Sequence, residues 1–460
     1  MNPQGAKAPP DQTTTEVGRN AASEISESPA REDLAGTPRS SVDEHAAYEI
    51  HEPRNLIALA FHQVVLRIGW VFKTETVIMP AFLDSVSGAG WMRGLLPVIN
   101  RVGQSVPPAI FSRQLKVMRH KKLGLVSCTF LLAIPFVVLA VGCSVSGYRD
   151  QWWMAPLFLA MYGMFFTING LNNLSYDTVQ GKLIRPARRG RLVVLSVGIG
   201  SIPAVLAAWW WLGAWLAWPD GSGYAAIYGF IACCFVAAGF IALAVREPPD
   251  AHALTRDSVS QHFAGSWHIL RRDANFRRLV VATVLFATVL LLFPHYQALG
   301  RERFGLGGAR MMTWVVMQNI SLGLASLIAG TFADRLGNRL VLRCLFFAAA
   351  LTPIFAVVLT QVDPDIGRHA FPVIFVLLGM TPVTQRTLIN YTLEISPTAE
   401  HPRYLSTLSV CAAAPILFAP LAGWLIDRTS FELIFTLGAV LIASSGLLTF
   451  SLIEPRHGLR

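Results

Sequence analysis

The fold is decided by two uncharged stretches: residues 123–141, LGLVSCTFLLAIPFVVLAV, and residues 279–293, LVVATVLFATVLLLF. A helix needs about 20 predominantly apolar residues to cross a hydrocarbon core of ~30 Å. A transmembrane β-strand would instead alternate apolar and polar residues over about ten positions. Both stretches are apolar almost without interruption, which predicts membrane-spanning helices.

Further apolar stretches of similar length bring the number of predicted spans to twelve. Their limits are residues 55–83, 91–112, 122–144, 152–180, 190–218, 224–245, 278–300, 308–330, 340–361, 369–393, 403–426 and 430–453. Composition agrees, because 53% of the 460 residues are hydrophobic and only 14% are charged. We therefore predict an all-α polytopic membrane protein with twelve transmembrane helices and exclude an ordinary cytosolic protein.

Polar segments divide the chain into parts. The first 54 residues hold five basic and ten acidic side chains and few large apolar ones, which predicts a disordered tail. Ile184-Arg-Pro186 is repeated as Ile395-Ser-Pro397, a weak internal duplication that is typical of transporters built from repeated halves. The sequence thus predicts two pseudo-symmetric six-helix bundles. The predicted parts are a tail at 1–54, a first half at 55–245, a linker at 246–277, a second half at 278–453 and a short tail at 454–460.

The basic residues predict how the chain is oriented. Loops on the side of the amino terminus hold twenty Lys and Arg, against six in the opposite loops. Cytoplasmic loops retain positive charge, so both termini are predicted to face the cytoplasm, with the spans in a bacterial inner membrane. The formal net charge of +10 is thereby explained by topology, and no nucleic-acid partner is predicted.

The sequence lacks the patterns of catalytic chemistry. It has no Walker loop, which argues against an ATP-driven pump. Its six cysteines lie in or beside apolar stretches without metal-ligand spacing, so they are interpreted as packing residues. We therefore predict no enzyme activity, no catalytic residues, no cofactor and no metal site.

The most specific pattern is GTFADRLGNR, residues 330–339, between the eighth and ninth predicted spans. It resembles the cytoplasmic G-x-x-x-D-R-x-G-x-R loop of the major facilitator superfamily of secondary transporters, and the resemblance extends over residues 55–453. The family also carries such a loop between spans two and three, but residues 109–127 contain no acid here. The resemblance implies alternating access and conformational roles for Gly330, Asp334, Arg335, Gly337 and Arg339. The alternative is an ordinary tight turn in which Gly337 supplies a positive φ.

Two arginines are predicted near the middle of the membrane. At 1.5 Å per residue, Arg67 and Arg101 lie about 16–18 Å from the cytoplasmic ends of their spans. Gln318 and Asn319 reach a similar depth from the second half. The resemblance implies a central cavity between the halves, where paired cations suit an anionic solute. Alternatively, the arginines bind backbone carbonyls or acids and hold the bundle together.

The fourth and tenth predicted spans are unusually polar. Asn169 and Asn172 in the fourth and Arg386 in the tenth are candidate solute contacts, because the resemblance implies that these spans line the cavity. The alternative is hydrogen bonding between helices. Asp177 and Glu394, at the cytoplasmic ends of the same spans, are interpreted as gate salt bridges.

Glu75 is the candidate for proton coupling, because it is the only acid well inside the first three spans. A structural cluster of Glu75 with Lys73 and Arg93 is the alternative. His62, His295 and Tyr296 are possible assistants, although a single histidine in a helix more often serves packing.

The sequence therefore predicts a secondary active or facilitative transporter of a small solute, with an anion favoured. It is expected to be a monomer in the lipid bilayer, with a proton or other cation as a possible coupling ion. A non-transporting membrane receptor or scaffold with the same fold is the alternative.

Overall fold

A computed structural model describes residues 41–185, 188, 191–192, 195–196, 200–218, 221–248, 269–397 and 400–454. Most of the predicted amino-terminal tail, the middle of the linker and the last six residues therefore lie outside the described residues. Residues from Tyr48 onward belong to one compact unit. Within the described residues, helices are the only regular secondary structure.

We number the helices by predicted span. They are α1a (Ser41–Phe72) and α1b (Ile78–Val86), α2 (Gly90–Val117), α3 (Lys121–Leu131 and Ala133–Cys143), α4 (Met154–Leu183), α5 (Gly200–Ala207 and Gly213–Leu216, joined by a π-helical turn at Ala208–Leu212), α6 (Gly223–Leu243), α7 (Ala274–Phe286 and Thr288–Phe304), α8 (Arg310–Leu336), α9 (Asn338–Leu359), α10 (Pro364–Ala370, Val373–Leu378 and Thr381–Ile395), α11 (His401–Ala413 and Ala419–Arg428, joined by a 3-10 turn at Ala414–Phe418) and α12 (Phe431–Leu448). We call the side on which α1a begins the N side and the opposite side the far side.

Helices long and apolar enough to cross a membrane account for ten of the predicted spans. The other two are α2 and α5. Helix α2 is long but carries several polar side chains, and the described part of α5, Gly200–Leu216, is a shorter apolar helix. The predicted all-α membrane fold is confirmed.

The first span is not one continuous helix, as its predicted limits of 55–83 implied. Helix α1a ends at Phe72, α1b begins at Ile78, and residues 73–77 form a break between them. The Thr74 hydroxyl donates to the Val71 carbonyl at 2.6 Å, and the Thr74 carbonyl accepts from three later backbone N–H groups. Threonine competes in this way for backbone partners, so four consecutive polar residues, 73–76, interrupt the apolar helix.

Aromatic side chains fill the core of each half. In the first half, the Phe82 ring contacts the rings of Tyr148, Phe158, Tyr224 and Tyr228 at centroid distances of 5.0–6.1 Å. In the second half, the Trp314 and Phe375 rings stack at 4.8 Å. Such aromatic contacts stabilise each bundle from within.

The two halves meet most closely near the far side. A Cβ atom added at Gly423 of α11 would lie 2.0 Å from the Gly90 carbonyl oxygen of α2. One added at Gly94 would lie 2.2 Å from the Ala419 carbonyl oxygen. Only glycine permits so short a distance between the helices.

Candidate solute-binding cavities and gates

Two adjoining cavities lie in the interior of the bundle. The first has a volume of about 270 Å³ and is lined by the first half alone: Gln63, Leu66, Arg67, Trp70, Gln104, Leu132, Asn169, Asn172, Asn173, Ser196 and Phe235. The second has a volume of about 300 Å³ and lies between the halves, lined by Trp70, Glu75, Leu96, Pro97, Asn100, Arg101, Gln104, Tyr162, Leu290, Phe293, Pro294, Thr381, Pro382, Gln385 and Ile416. Trp70 and Gln104 border both.

Helical spacing brings the polar residues of the first cavity together. Gln63, Arg67 and Trp70 follow each other at intervals of four and three along α1a, so they share one face. On α4, Asn172 and Asn173 lie three and four residues after Asn169, so these three also share a face. Two polar stripes therefore face the first cavity.

Arg67 carries N–H groups that have no acceptor. Its Nε and Nη2 atoms are buried and make no hydrogen bond to any described residue. The charge of Arg386 in α10 is near enough to repel that of Arg67 across the two halves. The Nδ2 atom of Asn169 is likewise buried and without an acceptor. The walls thus hold more hydrogen-bond donors than the protein satisfies.

Arg101 borders the second cavity and also joins the halves. Its Nη2 donates to the Ser409 carbonyl of α11 at 2.7 Å, while its Nε is buried without an acceptor. A third cavity of about 130 Å³ begins at the same arginine. Arg101 therefore lines a cavity, as a solute-binding residue would. It also binds a backbone carbonyl, as a residue that holds the bundle together would.

The remaining predicted solute contacts have different surroundings. Gln318 accepts a hydrogen bond of 2.5 Å from the Thr76 hydroxyl, which links α8 to the break in the first span. Asn319 donates to the Val315 carbonyl of its own helix at 2.8 Å. Neither residue lines the two cavities. Asn172 does line the first cavity, and its Oδ1 accepts from Thr129 at 2.9 Å.

The break in the first span holds a buried ion pair. The Lys73 Nζ lies 2.7 Å from the Glu75 Oε1, with the lysine fully buried and the glutamate 25% exposed. The Trp70 ring lies under the ammonium, 3.4 Å from Nζ to its centroid, and two phenylalanine rings are within 5 Å of it. Asn100 donates to the Glu75 Oε2 and accepts from Gln104. Glu75 is therefore connected by hydrogen bonds to a residue that borders both cavities.

Arg93 belongs to a separate network on the far side. It contacts Asp84 at 2.9 Å, Glu302 at 3.5 Å and Asp427 at 3.4 Å. Arg301 of the second half reaches Asp84 at 3.3 Å. The network joins α1b and α2 to α7 and α11. It thus closes the far side by charge pairing between the halves.

Asp427 also binds the backbone next to this far-side network, and a buried histidine lies close by. The Asp427 Oδ2 accepts from the Gly90 backbone N–H at 2.7 Å. His295 is buried near Gly423, and neither of its ring nitrogens has a partner among the described residues. His62 instead contacts Thr129 at 3.1 Å, and Tyr296 packs on Phe435. None of the three predicted assistants lines either central cavity.

The predicted gate residues lie towards the N side. The charge of Asp177 acts on Arg386 of the opposite half. Glu394 accepts from the Asn338 side chain at 2.9 Å, within the second half. Asp177 therefore interacts across the halves, and Glu394 has a hydrogen bond within the second half.

The loop at residues 330–339 contains one glycine that the backbone requires. Gly337 has φ +91°, and an added Cβ would lie 2.9 Å from the Glu454 carboxylate. Arg339 pairs with the same carboxylate at 3.3 Å. A Cβ at Gly330 would instead meet no atom within 4 Å. Asp334 and Arg335 are exposed in the last turn of α8.

Several lining residues were not among the predicted solute contacts. The cavities are also bordered by Gln63, Gln104, Asn100 and Trp70, whereas the sequence predicted solute contacts at two arginines of the first half and at residues of the fourth, eighth and tenth spans. Their spacing relative to Arg67 and Arg101 was the available signal. Within the described residues there is no cluster of three or more His, Cys, Asp or Glu that could hold a metal ion.

Comparisons with known proteins agree with this architecture. The sequence model of the Major Facilitator Superfamily matches residues 301–459. The nucleoside transporter NupG has 11% identity and a TM-score of 0.61, with 86% of this chain and 97% of that chain covered. A D-xylose-proton symporter has 12% identity and a TM-score of 0.61, with 86% and 98% covered.

A third solved structure is a bacterial homologue of the iron transporter ferroportin in an inward-facing state. It has 13% identity and a TM-score of 0.63, with 86% of this chain and 98% of that chain covered. No curated protein matches the chain. At these identities the likeness shows the fold. The chain is thus an integral membrane protein with the major facilitator fold.

Proposed function

We propose that this chain, with its major facilitator fold, is a secondary transporter that moves a small anionic solute by alternating access. The observation that carries the proposal is the set of buried guanidinium N–H groups without acceptors around the central cavities, at Arg67 and Arg101. It acts as a monomer in a bacterial inner membrane, with both termini in the cytoplasm. The N side is then the cytoplasmic side.

The free-energy cost of leaving these donors without acceptors favours binding of an anion. A guanidinium donates hydrogen bonds and accepts none, so its complement is a group that only accepts, such as a carboxylate. A buried donor without a partner costs about 1–3 kcal/mol. A bound carboxylate recovers part of that cost and also reduces the repulsion between Arg67 and Arg386.

Alternating access requires the contacts of one side to separate while those of the other form. The far-side network of Asp84, Arg93, Arg301 and Asp427 supports a state closed to the exterior. We assign the opposite role to the cytoplasmic gate. Asp177, Glu394 and the loop with Asp334 favour the state that is open to the exterior.

Glu75 is the proposed proton site. It faces the second cavity, and protonation would remove its charge pairing with buried Lys73. The cavity would then gain one positive charge, which favours binding of the anion. By thermodynamic reciprocity the bound anion favours protonation equally, so proton and anion would move together.

The coupling is tested by Glu75→Gln, which fixes the neutral state of this side chain. We expect exchange of solute across the membrane to continue, while accumulation driven by a pH gradient is lost. Asp150→Asn, at an exposed acid outside the cavities, is the matched control. Proton-driven accumulation that survives in Glu75→Gln would contradict the assignment.

Transport itself is tested with purified protein in liposomes and a set of labelled anionic, neutral and cationic metabolites. We expect uptake of at least one anion above the level of protein-free liposomes. Arg67→Gln should reduce this uptake and Arg310→Gln, at an exposed far-side arginine, should not. If no solute moves, the alternative of a non-transporting receptor or scaffold is favoured.

A further inference from the structure

The first cavity is lined by an unusual number of amide side chains. Gln63, Gln104, Asn169, Asn172 and Asn173 all border it. An amide both donates and accepts hydrogen bonds, and a hydroxyl group does the same. Guanidinium groups alone would select an acceptor, whereas this mixture also suits a solute that carries several hydroxyl groups.

The amides retain both donor and acceptor atoms that make no hydrogen bond within the described part of the chain. Gln104 donates through Nε2 to Asn100, which leaves its oxygen as an acceptor. Asn172 accepts at Oδ1, which leaves its NH₂ group as a donor. Gln63 and Asn173 make no hydrogen bond to any described residue. Donors and acceptors are therefore both present for hydroxyl groups.

Trp70 adds an apolar surface between the two cavities. It borders both of them and is 37% exposed. The Lys73 ammonium, itself buried, holds the indole from one face at 3.4 Å. A fixed aromatic surface next to hydrogen-bonding groups is suited to a ring that has an apolar C–H surface and polar edges.

The volumes limit the size of the solute. The cavities, at about 270 and 300 Å³, lie at the lower end of the ~300–1,000 Å³ range of small-molecule sites. One ring with its substituents fits this space better than two linked rings. The charge limit comes from Arg67, which lines the first cavity and has two buried nitrogen atoms without acceptors among the described residues, so it favours one carboxylate there.

From these four observations we infer that the solute is a sugar acid, a hydroxylated carboxylate of single-sugar size. Arg67 binds the carboxylate, and the amides of α1a, α2 and α4 bind the hydroxyl groups. The apolar C–H surface of the sugar lies against Trp70. This inference rests on the proposed function and specifies the substrate class of the same cavities.

The class is tested by binding to the purified full-length protein, measured by calorimetry. The ligands are D-glucuronate, D-galacturonate and D-gluconate, compared with D-glucose, which lacks the carboxylate, and cyclohexanecarboxylate, which lacks the hydroxyl groups. We expect at least one sugar acid to bind about tenfold or more tighter than both comparison compounds, since either lacks a set of hydrogen bonds. Equal or tighter binding of either comparison compound, or no binding of any sugar acid, overturns the inference.

Substitutions separate the two kinds of contact. Arg67→Gln should remove the preference for the acid over the neutral sugar. Asn169→Leu should weaken sugar-acid binding about tenfold while leaving cyclohexanecarboxylate unchanged, because it removes a hydroxyl contact. Gln361→Leu, at an exposed far-side amide, is the control and should alter neither. If Asn169→Leu affects both acids equally, the hydroxyl assignment fails.

Failure of this inference can be distinguished from failure of the proposed function. The calorimetric comparison measures binding of one chemical class, whereas the liposome assay measures movement of any solute. A protein that transports another anion but binds no sugar acid would retain the proposed function and overturn the inference alone.

Discussion

At the scale of single residues, the cavities are organised around N–H groups that the protein leaves without acceptors. Arg67 contributes two such groups, and Arg101 and Asn169 contribute one each. Folding must bear the desolvation of these groups, and a ligand with acceptors recovers part of that free energy. In the proposed function, these residues serve binding at the expense of stability.

The two arginines are expected to differ when replaced. Arg67→Gln should weaken solute binding by about 1.5–3 kcal/mol, the value of a hydrogen bond to a charged group, with little change in thermal stability. Arg101→Gln should lower both the affinity for the solute and the thermal stability, because it also removes the contact with the Ser409 carbonyl. Calorimetry and thermal unfolding measure the two effects. Unchanged affinity in both variants would assign the arginines to structure.

The two glycines of the 330–339 loop give a second prediction. Gly337→Ala should lower the unfolding temperature, because its φ of +91° is strained for an L side chain and Glu454 occupies the space. Gly330→Ala should be neutral or stabilising, since nothing lies near its Cβ position and alanine favours a helix by about 1 kcal/mol. Equal losses in both variants would contradict this distinction.

At the scale of elements, the break between α1a and α1b connects the cavity to the far side. Glu75 lines the second cavity and pairs with buried Lys73, while Thr76 reaches Gln318 of the second half. Asp84, at the other end of α1b, contacts Arg301. Helix α1b is therefore held to the second half at both ends. In the proposed cycle, the break allows α1b to move separately from α1a.

Much of the helical architecture was predictable from hydropathy, because a bilayer imposes both length and backbone pairing on each span. The helical rise predicted interior positions for Arg67 and Arg101, and each of them lines a cavity. The directions of neighbouring side chains did not, as Gln318 and Asn319 show by pointing to different partners. The break at 73–77 was also missed, because hydropathy averaged over a span conceals four polar residues.

The far-side network and the cytoplasmic loop should act in opposite directions. Asp427→Asn weakens the contacts with Gly90 and Arg93, so it should increase labelling of a cavity cysteine, Leu290→Cys, from the exterior. Asp334→Asn should decrease that labelling, because the proposed outward-open state loses its stabilising charge. Both variants are made in a protein whose native cysteines have been replaced. Asp365→Asn, at an exposed far-side acid, is the control. Labelling that shifts in the same direction for both would contradict the gate assignments.

At the scale of the whole molecule, the fold provides two bundles with a polar region between them. Close glycine contacts join the bundles near the far side, and charges interact across them on both sides of the cavities. In the proposed cycle, the bundles rock around a cavity whose binding groups remain in place. The proposed orientation rests on the twenty basic residues of the N-side loops, and in that orientation one entrance of this cavity faces the cytoplasm.

The topology is open to a direct test. Single cysteines introduced at loop positions 113–121 and 246–248 should react with impermeant thiol reagents only after the cytoplasmic side is exposed. The physical reason is the retention of basic loops in the cytoplasm. Labelling of these positions in intact cells would overturn the predicted orientation.

The central claim is that one cavity opens to each side of the membrane in turn. Its most direct test is side-specific labelling of Leu290→Cys, which lies on the wall of the second cavity, in oriented vesicles. We predict that an impermeant reagent applied on either side labels this position, and that a bound solute slows labelling from both sides. Labelling from one side only, in the parent protein and in Asp427→Asn alike, would contradict alternating access.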